Sequence, residues 1–89
     1  MLTRDQAISI RANLQPYYHG NCNSGVPDAW IVSGVAIREM LHIAESELRR
    51  MPFYDGSEYI KGIGIAHKFR KNALTHWIRE QAEVTRSKN

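Results

Sequence analysis

The side chains that could do chemistry are few and scattered. The sequence holds one cysteine, Cys22, and four histidines, His19, His42, His67 and His76. His19-x-x-Cys22 has the separation of a metal-ligand pair, but zinc sites normally bring a second close pair, and none is present. Cys22 with His19 or His42 as its base would make a thiol nucleophile, yet the surrounding glycine and asparagine supply no cation to lower the thiol pKa. Of the nine carboxylates, Glu45 and Glu47 form the tightest group, and on a helix they point to different faces, which argues against an acid–base pair. Gly62-Ile63-Gly64 has neither the Lys-Ser/Thr ending nor the preceding strand of a phosphate loop, so its glycines read as a bend or a close crossing. No catalytic, cofactor-binding or metal-ligating residue is predicted, and the expectation is a protein that is not an enzyme.

Charge is the feature left to weigh. Twelve basic and nine acidic residues give a net +3, and Lys61, Lys68, Arg70, Lys71 and Arg79 fall between Glu58 and Glu80 with no acid among them. On a continuous helix Lys61, Lys68, Asn72, Thr75, Arg79 and Arg86 lie within about 40° of one line, with Lys71 at the margin. Such a stripe would serve a phosphate backbone or an acidic protein surface, and the plain alternative is the solvated side of an amphipathic helix. A DNA-recognition helix fits poorly, because its leading positions would be Ser57, Glu58 and Tyr59 while the cations come later. Arg70 would project into the apolar side between Ala66, Ala73 and Trp77. There it requires a carboxylate from Glu39, Glu45 or Glu47, or an interface, unless it reaches past Trp77 to water.

The elements that would position these residues read as helices. Thr3 with Gln6 has the form of a capping box, and Ala7, Ile10 and Leu14 follow at helical spacing until Pro16, which predicts a helix over residues 3–15. Residues 16–27 are rich in turn formers and read as a long loop that presents Tyr17, Tyr18 and His19. Trp30, Ile37, Leu41, Ala44, Leu48 and Met51 fall on one stripe at 100° per residue, which predicts a central helix over 28–51. The first half of that helix is apolar on its other side too, through Val32, Val35 and Ile43, and so needs a second cover. Gly34 within it points to the close approach of another backbone. A turn over 52–57 then leads to a third helix over 58–86, whose glycines at 62 and 64 leave its first turns bent or extended.

The predicted fold is all-α: a long antiparallel hairpin of the second and third helices with the short first helix packed across it, in one domain. The longest purely apolar run, Ala29 to Val32, is far short of a bilayer span, and one cysteine forms no intrachain disulfide, so a cytoplasmic protein without a membrane is expected. The functional expectation is a small regulator, adaptor or inhibitor of the kind carried by phages and mobile elements, binding a protein partner with an acidic surface. Its basic stripe (Lys61, Lys68, Lys71, Asn72, Thr75, Arg79) or its loop would make the contact. Self-association, as a dimer, is expected through a surface drawn from Tyr17, Tyr18, His19, Arg70, Val32 and Val35. Nucleic acid bound by the basic face is the alternative.

Overall fold

The computed structural model describes residues 1–18 and 25–87, and the side chains of residues 84–87 are not described. Its element order is α1 (Arg4–Ala12), β1 (Gln15–Tyr17), β2 (Ala29–Ser33), a π-helix (Ala36–Met40), α2 (Glu45–Arg49), β3 (Tyr54–Ile60), β4 (Gly64–Phe69) and α3 (Lys71–Ser87). The strands form one antiparallel sheet in the order β1-β2-β4-β3. The protein is therefore α+β. The all-α expectation and its helical hairpin are overturned by four strands, of which β2 and β4 lie wholly in stretches read as helix and β3 runs from the predicted turn into the third predicted helix.

The physical reasons are local. The apolar run of β2 sits between two neighbouring strands and is buried on both sides, Val32 toward the main core and Ile31 toward a smaller cluster on the other face. A central strand of this kind shows no alternation, so its short apolar run mimics a helix stripe. Gly62 and Gly64 each carry a φ of 91°, a conformation open to glycine and hostile to a helix. Gly62 occupies the third position of the turn closed by the Ile63 amide donating to the Ile60 carbonyl at 3.0 Å. That turn joins β3 to β4, in register from Ile60 and Gly64 onward. Farther along, one extra residue in β3 shifts the register between Tyr54 and Ser57, a bulge at which Gly56 also takes a φ of 91°.

The helices that remain are shorter or displaced. α1 is capped as expected: the Gln6 amide donates to Thr3 Oγ1 at 3.1 Å and Gln6 Oε1 accepts from the Thr3 amide at 2.9 Å. The predicted central helix is replaced by β2, one π turn and the five residues of α2. In the π turn the Leu41 amide reaches the Ala36 carbonyl at 2.9 Å, and His42 then turns out at a φ of 54°. Among the described residues no helix is long and apolar enough to cross a membrane.

The main core lies between one face of the sheet and the helices. Leu2, Ala7 and Ile10 from the first segment meet Leu74 and Ile78 of α3 over Val32 and Phe69, and Ile37, Ile43, Leu48 and Phe53 complete it. Phe53 is fully buried, with its ring 5.6 Å from that of Trp77. α1 lies antiparallel to α3, with Arg4 beside Ile78 and Arg11 beside Thr75.

Candidate functional site

With residues 58–70 folded as a hairpin, the predicted basic stripe is taken apart. Lys61 sits in the hairpin turn and Lys68 in β4, where its Nζ lies 3.7 Å from Glu58. Lys71 opens α3 with its ammonium 4.0 Å from the centre of the Trp30 ring, a cation–π contact. Asn72 lines a surface groove with Trp30 and Arg70. Lys71 lines that groove too, while Thr75 and Arg79 share a different surface with two arginines of α1, Arg4 and Arg11, that lie outside the basic segment.

That surface is a groove of about 360 Å³ between α1 and α3, lined by Arg4, Ile8, Arg11 and Ala12 on one side and Thr75, Ile78 and Arg79 on the other. It follows from helical geometry: Arg4, Ile8, Arg11 and Ala12 fall on one face of α1, as Thr75, Ile78 and Arg79 do on α3. Arg4 Nε donates to the Ile78 carbonyl at 3.1 Å, and Arg11 Nε donates to Thr75 Oγ1 at 2.8 Å. These bonds tie each guanidinium to the opposite helix by one donor, and a guanidinium has five. Thr75 Oγ1 in turn donates to the Lys71 carbonyl at 3.0 Å, which fixes the hydroxyl that receives Arg11. No acidic residue lines the groove, and among the described residues no carboxylate stands within ion-pair distance of Arg4, Arg11 or Arg79. The floor is apolar: Ile8 is 39% exposed beside the buried Ile78. The signal that could have found this site is the Arg4–Ile8–Arg11 spacing in a helix whose cap was legible.

The second constellation is polar and centred on one buried ring. His67, on β4, is fully buried. Its Nε2 lies 2.7 Å from Glu45 Oε2 and its Nδ1 lies 2.8 Å from the Tyr54 hydroxyl, while Arg38 Nη1 donates to Glu45 Oε1 at 2.8 Å. The neutral tautomer with its proton on Nε2 satisfies both bonds: it donates to the carboxylate and accepts from the phenol. Arg38 beside Glu45, aided by the His67 contact, holds that carboxyl below its ordinary range against the opposing effect of partial burial. Gly34 makes the arrangement fit, since a Cβ there would lie 3.0 Å from Arg38 Nη1 and 3.3 Å from the Ile65 carbonyl. The close backbone approach expected at Gly34 is thus present, supplied by β4.

Hydroxyl, imidazole and carboxylate in a row form the arrangement used to activate a nucleophile. Here, however, Tyr54, His67 and Glu45 line neither the arginine groove nor the grooves beside Met40 and Trp30. With Arg38 the row joins the π-helix, α2, β3 and β4 around the buried His67 ring, and no buried side-chain nitrogen or oxygen among the described residues lacks a partner.

The remaining expectations divide. Arg70 is exposed and not inside an apolar face, because it links β4 to α3 and does not sit within a helix. Its carboxylate is Asp55, at 3.1 Å, and its Nη1 donates to the carbonyls of Pro52 and Tyr54. Val32 is buried in the core, Val35 is half exposed, and Tyr17 and Tyr18 are half-buried. His19 and Cys22 lie outside the described residues. Among the described residues no three His, Cys, Asp or Glu side chains gather in a way that could hold a metal ion. No family model matches the chain, and no curated protein or solved structure matches it.

Proposed function

We propose that this is a non-enzymatic binding protein, a cytoplasmic regulator, adaptor or inhibitor, that docks an acidic, partly apolar segment of a protein partner in the groove between α1 and α3. The observation that carries the reading is three arginines around an apolar floor with no acid lining the groove. Exposed ion pairs contribute little apiece, so the affinity would come from covering the exposed Ile8 and Ala12, and the arginines would set selectivity and speed of encounter. Arg4 and Arg11 are seven residues apart, about 10 Å along the helix axis. An amphipathic helix with carboxylates seven residues apart and apolar side chains between them matches that spacing.

The test is selection from a random 16-residue peptide display library on the immobilised protein. Enriched sequences should be acidic and amphipathic, and Arg11→Glu with Arg79→Glu should abolish their binding. Sequences without acidic bias, or binding that survives the double variant, would overturn the reading. Nucleic acid is the second reading, favoured by the same guanidiniums because they are free of carboxylates. It predicts binding of a DNA duplex that weakens steeply between 50 and 200 mM salt and is lost in the same variant. The apolar floor, which a phosphate backbone does not use, favours the peptide.

A further inference from the structure

The turn end of the β3–β4 hairpin exposes apolar side chains that neither core cluster takes up. Tyr59 is 69% exposed, Met40 67%, Val35 52%, Ile65 50% and Ile63 42%. They are neighbours. Tyr59 and Ile65 are register partners across the hairpin, the Ile65 carbonyl packs against Gly34 just before Val35, and Met40 and Ile63 line one groove. A fully exposed side chain of this size presents about 150–200 Å², so the five leave roughly 500 Å² in water. That is at the upper end of what a monomer carries as a single patch.

We propose that this end of the molecule is the interface of a homodimer, covered by a second copy of the chain related by a two-fold axis. Three observations favour a second copy over other occupants. The first is area. Two such patches face to face cover roughly 1,000 Å² before any rim is counted, at the low end of specific interfaces, which corresponds to a reversible dimer. The second is shape. A two-fold contact needs a surface that complements itself, and this one holds both a protruding Tyr59 and a groove of about 400 Å³ between Met40 and Ile63. Tyr59 of each copy enters the groove of the other. The third is charge. Exposed Lys61 follows β3 and exposed Glu39 precedes Met40, so the rim carries both signs and does not repel itself. An anionic membrane surface would call for a cluster of cations.

The test is sedimentation velocity on the full chain from about 5 to 500 μM, alone and at physiological salt. The weight-average mass should rise from 10.2 kDa toward twice that value. Tyr59→Glu and Met40→Glu should each weaken association at least tenfold while circular dichroism and the melting temperature stay near those of the parent, because both side chains are mostly in water. The Arg11→Glu/Arg79→Glu variant should dimerise normally, which separates this interface from the arginine groove. A single 10.2 kDa species at the highest concentration, or a dimer that persists in both apolar variants, would overturn the proposal.

Discussion

Replacing His67 by alanine is the most informative perturbation of this fold, because one ring on β4 bonds to both α2 and β3. The ring is fully buried, so its removal leaves a cavity costing about 2–4 kcal/mol in a site that cannot fully collapse. Tyr54 loses its hydrogen-bond partner for a half-buried hydroxyl, adding about 1 kcal/mol. Glu45 loses less, since it keeps Arg38 and its side chain is 24% exposed to water. The expected total is about 3–5 kcal/mol, a large part of the 5–10 kcal/mol typical of a small domain. At about 4–8 °C per kcal/mol, the melting temperature should fall by at least 12 °C. Urea unfolding followed by tryptophan fluorescence reads this directly, since Trp77 packs edge-on against Phe53 in the core. Tyr54→Phe should cost less, about 1–2 kcal/mol, for leaving His67 Nδ1 buried and unpaired. The reasoning is refuted if His67→Ala lies within 0.5 kcal/mol of the parent, or if Tyr54→Phe is the more damaging change.

The Glu45 carboxyl is held below its ordinary 4.5, so its contribution to stability is complete above that value and lost as pH falls through the lower folded-state value. Urea midpoints measured from pH 6 down to pH 3 should therefore decline, and Glu45→Gln should remove part of that slope while lowering stability at pH 6. Gly62→Ala meets no neighbouring atom but must hold a φ of 91°, so a loss of about 1–2 kcal/mol with an unchanged fold is expected by calorimetry. Thr3→Ala removes one half of the α1 capping box and should cost about 1 kcal/mol in the same measurement. Lys71→Met removes the charge above Trp30 and should lower stability by about 0.5–1 kcal/mol in urea titrations.

Where a residue's role is set by near neighbours, the sequence discloses it. The Thr3–Gln6 box and the apolar spacing of Ala7 and Ile10 are local facts, and α1 is where they place it. The C-terminal half of the third predicted helix is helical for the same reason, with Leu74 and Ile78 buried on its inner face. The middle of the chain depends on partners distant in sequence. Trp30 and Val32 are apolar because Phe69 and His67 stand across from them, and nothing within one turn of helix distinguishes that from a helical stripe. The arginine groove was hidden for a similar reason: Arg79 was visible as part of a basic run, but its companions Arg4 and Arg11 belong to a helix that touches it only in the folded state. The His67 clamp was less legible still, since Arg38, Glu45, Tyr54 and His67 lie on four separate elements.

The pairing of α1 with α3 also governs when the molecule can be finished. The Arg4–Ile78 bond joins positions 74 residues apart, and Arg11–Thr75 spans 64, while the β3–β4 hairpin closes over a few residues. Loop-closure entropy places the hairpin early and the helix pair last. During synthesis α1 leaves the ribosome before α3, and its buried face lacks the Leu74 and Ile78 side of its packing until α3 follows. Ala7 and Ile10 are incompletely covered through that interval. A chain released before α3 is made would lack Leu74 and Ile78 of the main core and leave the apolar side chains they cover in water, and such chains should be the ones that aggregate or are degraded.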